Sequence, residues 1–393
     1  MSQGLLSGIK VIELGQVAAG PFTGMLLADL GADVVKVERP DSGDGMRQWP
    51  PILEGEDSSY SGNFASLNRN KRSITIDLKD PDQIQQLKEL CSEADVLIEN
   101  YRPGVLKRLG IGYEQIKELN PKIVYCSISG YGQTGPYSQK GAFDVTVQAI
   151  SGLMSVTGEE DGEPVKCGVP VGDFVSALYA AYSILAVLIK REKDGMGSYI
   201  DSSMIGSLLG ISALQTSEYF GTGSPPKKLG SAHPRNAPYQ GFQAKDGKFV
   251  IAAGNKKLWK SVCEVVDLPE LVYDERFKTQ ILRAKNQKKL ANILQEIFIE
   301  RTVYEWLEIF DEIGVPCAPV NNFQDILNDK HVESMGLIGE LTLPNGLKEK
   351  YVGYPIKISD FKFNVYRNPP ELGEHNEEVF HEWLEEKELE SKF

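Results

Sequence analysis

GIKVIELGQVAAGPFTGMLLADLGADVVKVERP, residues 8–40, reads as one strand-helix-strand unit. IKVIEL (9–14) and DVVKVE (33–38) are short β-branched runs, and the stretch between them, from about Pro21 to Leu30, has helical apolar spacing. Two such runs joined by a helix predict parallel strands in one sheet. The alternation continues outward with SITIDL (73–78), a helix over 81–94, VLIEN (96–100) and VYCSISGYG (124–132), so the first part of the chain is expected to be an α/β sheet domain.

Beyond Asp173, the run FVSALYAAYSILAVLIKRE is apolar on both faces, which predicts a helix enclosed by protein and ended by Gly195 or Gly197. Its most apolar part, 176–189, falls short of the roughly 20 residues that cross a bilayer. A loop-like Gly, Pro and Ser stretch follows from Gly221, then a strand, KFVIAAG (248–254), and helices to about Ile313. The composition turns loop-like again at GVPCAPVNNF (314–323), and the tail regains strands before a charged helix over 375–388. The expected organisation is a large domain over 1–224, a small domain over 225–325, and a return to the large domain over 326–393.

The 393 residues carry 42 basic and 55 acidic side chains, a net charge of −13, and the pI is about 5.0. Nucleic-acid binding is normally driven by a basic surface, so that class is excluded, and membrane association is not expected. The N-terminus lacks a basic leader and a long apolar run, which predicts a cytoplasmic protein. Cys91, Cys126, Cys167, Cys263 and Cys317 are scattered and odd in number, which disfavours disulfide frameworks and metal clusters.

Three features bear on chemistry. The turn GQVAAGP (15–21) follows the first strand but is neither G-x-G-x-x-G nor a P-loop, so it is ordinary tight packing or a ligand-binding turn. The lack of that fingerprint also disfavours an NAD-dependent oxidoreductase. Glu38-Arg39 ends the second strand, Lys71, Arg72 and Lys79 flank the third, and Arg102, Lys107 and Arg108 follow the fourth. Open parallel sheets bind ligands at strand carboxyl ends, so this clustering in an acidic chain suggests a phosphate pocket. Asp173, in GVPVGDFVSAL, stands where a loop becomes a helix. It reads either as a helix cap or as a nucleophilic carboxylate kept ionised by the positive helix end.

Residues 8–49, LNRNKRSITIDLK (67–79), residues 98–136, Gly172-Asp173, APYQGFQAKDG (237–247) and LGEHNEEV (372–379) together resemble the class III coenzyme A transferases of the CaiB/BaiF type. This family includes formyl-CoA transferase, carnitine CoA-transferase and succinyl-CoA:dicarboxylate CoA-transferases. The resemblance implies a Rossmann-like large domain with a parallel sheet, a smaller α+β domain and an interlinked, ring-shaped homodimer. It makes Asp173 the nucleophile and assigns CoA contacts to Val17, Ala18, Arg39, Lys79, Asn100, Tyr101, Arg102, Arg108 and Phe143. Coenzyme A and acyl-CoA enter as substrates alongside a small carboxylic acid, with no permanently bound cofactor and no metal.

Trp49, His233, Arg235 and Tyr239 are the expected substrate contacts, although His233 and Arg235 read equally as hydrogen-bonders of their own loop. GSAHPRNAPYQGF (230–242) replaces the glycine-rich loop of formyl-CoA transferase, which disfavours formyl and oxalyl substrates and points to succinyl-CoA and a dicarboxylate. The family's α-methylacyl-CoA racemases pair the aspartate with a histidine in the segment matching GAFDVTVQA (141–149), where this chain has Phe143. A racemase-like CoA-ester enzyme and a non-catalytic CoA-binding protein are the alternatives.

Overall fold

The computed structural model describes residues 4–56 and 58–385. The expected tail helix over 375–388 therefore has its last residues outside the described ones; within them the segment is an α-helix over Asn376–Phe380 and one π-helical turn over His381–Glu385. The chain forms two compact units, one of 1–153, 166–224 and 334–393, the other of 154–165 and 225–333. Residues 154–165, read from the sequence as part of the large domain, cluster with the second unit.

The first unit is built on six parallel strands: β1 (Lys10–Glu13), β2 (Asp33–Glu38), β3 (Lys71–Thr75), β4 (Val96–Glu99), β5 (Val124–Ser129) and β6 (Ser198–Ser203). Their order, β3-β2-β1-β4-β5-β6, is that of a doubly wound dinucleotide-binding sheet. Val11 pairs with both Val34 and Val96, which places β1 at the centre and the reversal of strand order between β1 and β4.

Both faces are covered, as an all-parallel sheet requires. Ile12, Val35, Ile74 and Leu97 meet Leu87 and Leu90 of the helix Pro81–Glu93 and Trp383 from the tail. Val11, Val34, Val96 and Val124 meet Leu27 and Ala28 of α1 (Ala19–Asp29), and Ala180 and Ile184 of the helix Val171–Asp194, called α2 here. β3 begins two residues before its predicted start because Lys71 and Arg72 are themselves buried. β6, the polar run SYIDSS, carried no apolar signal and was not predicted.

α2 has 24 residues and ends, as expected, at Gly195 in the left-handed conformation. Its length and composition would suffice to cross a membrane, unlike the shorter apolar run read from the sequence. The expectation of full enclosure also fails. Ala177, Ala180 and Ile184 are buried, but Leu178, Tyr182 and Ile189 on the opposite face are half or more exposed.

The second unit has a three-stranded antiparallel sheet of β7 (Tyr239–Gln243), β8 (Lys248–Ala252) and β9 (Cys317–Pro319), with β8 central. Its core stacks Phe249, Phe298, Phe310 and Trp306 edge-on and face-on beneath the helices Gln287–Phe298 and Val303–Glu312.

At the carboxyl ends of β1 and β2 lies a buried ionic cluster. Lys36 Nζ contacts Glu13 Oε1 at 3.0 Å and Asp44 Oδ2 at 2.9 Å, and donates to the Gly15 carbonyl at 2.8 Å. Lys71 Nζ reaches Glu13 Oε2 at 2.7 Å and donates to Pro21 O and Asn68 Oδ1. Glu38 pairs with Arg47 at 2.7 Å, and the Asp44 backbone N–H donates to Glu38 Oε2. Burial works against Lys36 keeping its proton, but Glu13 and Asp44 outweigh it and raise the pKa. Burial pulls the Lys71 ammonium down to about 8 despite Glu13.

Removing one member of such a cluster strands its partners in a dry interior. Lys36→Met should cost about 3–5 kcal/mol, the scale for breaking a buried ion pair, because Glu13 Oε1 and the Gly15 carbonyl would lose their donor and Asp44 its counter-charge. Urea unfolding of both proteins measures this, and a loss under about 1 kcal/mol would mean that the cluster is not structural.

Candidate active site

The turn between β1 and α1 is drawn tight by two glycines. A Cβ on Gly15 would lie 2.8 Å from Gly20 Cα, so the five-residue glycine spacing serves a backbone crossing. Between them Val17 has φ 65°, a left-handed conformation costly for a β-branched residue. Asp44 holds it there, accepting the Val17 N–H at 3.0 Å on Oδ1 and 3.1 Å on Oδ2. Burial opposes an ionised Asp44, yet Lys36 and backbone N–H groups lower its pKa. The buried cluster thus shapes the turn.

The same turn is gripped from β4. Asn100 Oδ1 accepts the Gln16 N–H at 2.9 Å and its Nδ2 donates to Gln16 O at 2.8 Å. The Gln16 side chain donates from Nε2 to Tyr101 Oη at 3.3 Å and accepts on Oε1 from Arg39 Nη2 at 3.2 Å. Five of the residues expected at the nucleotide site, Val17, Ala18, Arg39, Asn100 and Tyr101, therefore meet at the reversal of strand order, where open α/β sheets bind ligands. Gln16, which joins three of them, was not singled out from the sequence, although it lies inside the quoted turn. Asp44 was missed as well, since nothing in PDSGDGM marks it as a backbone anchor.

Arg102 is exposed and lies against Gly141, where an added Cβ would come within 3.2 Å of Nη2. Arg108 ends the short helix Val105–Arg108, and Lys79 stands exposed in the turn after β3. Among the described residues no hydrogen bond ties Lys79 to the Gln16 cluster. Trp49 is 46% exposed and Phe143 80% exposed.

The suggested phosphate pocket loses two members. Lys71 is inside the ionic cluster, and Arg72 is bound to Asp33, Glu378 and Glu382. Both serve the fold.

Asp173 lies in the first turn of α2 but does not cap it: the N-cap is Pro170, with no side-chain cap bond. Among the described residues its carboxylate accepts no hydrogen bond, and the Gly172 N–H is taken instead by Asp144 Oδ1 at 2.7 Å. Nor does the helix end hold Asp173 strongly ionised. Burial, aided by the charge of Asp144, pushes its carboxyl up to about 7.

In the second unit, His233 Nδ1 accepts the backbone N–H groups of Arg235 and Asn236, each at 3.1 Å, so the ring carries its proton on Nε2. Burial and Arg235 lower its pKa. His233 is thus a hydrogen-bonder of its own loop, with its ring centroid 5.0 Å from that of Tyr239.

The family model for CoA-transferase family III matches residues 6–376. The chain belongs to CoA-transferase family III. It is 42% identical over 379 residues to the human succinyl-CoA:glutarate CoA-transferase, covering 96% of this chain and 86% of that protein. With a succinate-glutarate CoA-transferase of Agrobacterium fabrum it shares 38% over 380 residues, 96% of this chain and 95% of the relative. Among solved structures, a CaiB/BaiF family protein from Brucella suis superposes with a TM-score of 0.87 at 36% identity, covering 97% of this chain and 100% of the other. A family III CoA-transferase is an enzyme that acts on CoA thioesters, and the expected α/β fold and family stand.

The raised pKa of Asp173 has a consequence independent of activity. Below about pH 4 the group is protonated whether the chain is folded or not; as pH rises towards 7 the unfolded chain ionises it first, so wild-type stability falls. Asp173→Asn removes that loss. Its unfolding temperature relative to wild type should increase between pH 4 and about 7 and stay constant above, in thermal unfolding across a pH series. A pH-independent difference would contradict the burial of an ionisable carboxyl there.

Proposed function

We propose that this CoA-transferase moves CoA from succinyl-CoA to a small dicarboxylic acid, with glutarate the first acceptor to test, and that Asp173 is its covalent nucleophile. The observation that carries the reading is a half-buried carboxylate of raised basicity, bound to no donor among the described residues, on the first turn of a core helix. The substrate choice rests on the two succinyl-CoA and glutarate transferases to which the chain is similar along nearly its whole length.

In the proposed sequence, an Asp173 carboxylate oxygen attacks the succinyl-CoA thioester carbonyl, the C–S bond breaks and CoA leaves as thiolate. The product is a mixed anhydride between Asp173 and succinate. The thiolate then attacks the Asp173 carbonyl, and succinate leaves with the bridging oxygen. Acceptor carboxylate attacks the resulting aspartyl-CoA thioester, expelling thiolate and forming a second anhydride, and thiolate attack on the acceptor's carbonyl yields the new acyl-CoA and free Asp173. No water enters, so the thioester energy is kept. A carboxylate of raised proton affinity suits the first step, since nucleophilicity follows basicity.

Arg39 and Arg102 supply guanidinium groups for the CoA phosphates, while the Val17–Ala18 backbone, Asn100 and Tyr101 form the wall against which the nucleotide lies. Lys79, Arg108 and Phe143 are further CoA contacts in this reading. Trp49 would meet the acyl group in this reading.

Asp173→Ala should lower succinyl-CoA:glutarate transfer at least about a thousandfold, the scale on which loss of a nucleophile acts, while circular dichroism stays native. Transfer retained within tenfold would sink the nucleophile, and α-proton exchange on an acyl-CoA without transfer would favour the racemase-like alternative.

The exposed stripe Leu178, Tyr182 and Ile189 on α2 supports a homodimer, because a row of large apolar side chains along one helix face is rarely left in water. Light scattering should return twice the 43.5 kDa chain mass, and Tyr182→Glu should shift it towards one chain. A wild-type monomer would overturn the dimer.

A further inference from the structure

Behind Asp173, the seven-residue helix Asp144–Ile150, called α3 here, presents two polar side chains one turn apart to the segment that leads into α2. Asp144 Oδ1 accepts the Gly172 N–H at 2.7 Å, and Gln148 Oε1 accepts the Cys167 N–H at 2.8 Å. The two side chains are tied to each other, Gln148 Nε2 donating to Asp144 Oδ2 at 2.6 Å. Gln148 is fully buried, and its amide oxygen and nitrogen are both engaged. The fit is close: a Cβ on Gly172 would come within 2.9 Å of Asp144 Oδ1 and 3.3 Å of Met204 Cε.

An amide in this place does something an apolar residue could not. It holds the 167–172 segment at a second point, and it commits one oxygen of Asp144 so that the other stays on Gly172, beside the nucleophile. We propose that Gln148 is a positioning residue of the transfer reaction, its buried amide clamping α3 onto the segment that carries Asp173 and thereby fixing where the Asp144 charge stands relative to that carboxylate. The inference rests on Asp173 being the nucleophile.

The surroundings leave Asp144 as the group through which the clamp acts. α1 brings Phe22 and Thr23 towards the start of α2, β6 brings Ser202, and the helix Met204–Ile211 brings Met204 and Leu208, all uncharged. Asp144 on α3 is the charged neighbour that raises Asp173, second to burial. The pair thus bears on both the geometry of the nucleophile and, after burial, its basicity.

Two variants of the full-length enzyme separate this role from a merely structural one. Asp144→Asn removes the charge, and its single amide oxygen can serve only one of the two donors, the Gly172 N–H or Gln148 Nε2, so the acid limb of the kcat/KM profile, set by ionisation of Asp173, should move to lower pH. Gln148→Met fills the same volume without hydrogen bonds and should lower kcat about tenfold to a hundredfold, the scale of a misplacement near 1 Å. The KM for succinyl-CoA should change less than about twofold, because Gln148 is fully buried and offers no surface to the thioester.

Circular dichroism and thermal unfolding establish that both variants are folded; should Gln148→Met not fold, Gln148→Glu, which keeps the acceptor for Cys167 but loses the donor to Asp144, replaces it with the same expected loss of kcat. An unmoved acid limb in Asp144→Asn together with kcat within twofold of wild type in the folded Gln148 variant overturns the inference. Full transfer activity in Asp173→Ala would instead overturn the underlying reading, so the two failures are told apart.

Discussion

The ammonium of Lys36 is the contact on which the site depends. It stands inside β2, two residues before the strand's end, with no exposure to water, binding Glu13, Asp44 and the carbonyl of Gly15 at once. Isolated buried ion pairs seldom add net stability, since desolvation offsets the attraction. Here the return is conformational. Asp44, held by Lys36, forces Val17 into a left-handed conformation that the residue would not choose alone, and the resulting turn offers its backbone to the sheet's ligand-binding edge. The strain is local and its compensation is the cluster beneath it. Asn100 then completes the turn from the neighbouring strand.

Asp173 shows the opposite use of a carboxylate. Asp44 is saturated with donors and held ionised; Asp173 has none among the described residues and is pushed towards neutrality by burial and by Asp144. Both lie at helix-proximal turns and differ only in surroundings. A helix N-terminus favours negative charge by a fraction of a kcal/mol to about 2 kcal/mol, which desolvation of a carboxylate readily exceeds. The fold therefore keeps Asp44 ionised as structure and leaves Asp173 with a raised pKa at the start of the 24-residue helix.

The β-α-β unit over 8–40 was legible because parallel strands buried on both faces need continuous β-branched runs, and VVKV between Asp33 and Glu38 is one. β6 was illegible for the same reason, because its polar side chains leave no pattern. Charge was the poorest guide. Lys71 and Arg72 looked like phosphate ligands beside Arg39, but their partners Glu13, Glu378 and Glu382 are distant in sequence, so only the folded chain shows them neutralised. Of the two readings of Asp173, the cap fails for a reason local sequence cannot reveal: Asp144, 29 residues earlier, occupies the N–H next to it. Gln16 and Gln148 were overlooked since a glutamine carries no signature until its bonds are seen.

The central claim is that the carboxylate of Asp173 enters the bonds that are made and broken, and oxygen isotopes follow those bonds. In the proposed sequence the acceptor's carboxylate oxygen bridges the second anhydride and stays on Asp173 when the new thioester leaves. Turnover of succinyl-CoA with glutarate labelled in its carboxylates with heavy oxygen, followed by mass spectrometry of the peptide containing Asp173, tests this directly. The account predicts that this peptide gains heavy oxygen localised to Asp173, one atom in the first turnover and up to two as turnovers accumulate. Labelled succinate released by an enzyme whose Asp173 stays unlabelled would show that the acceptor attacks the donor directly and would contradict the covalent role.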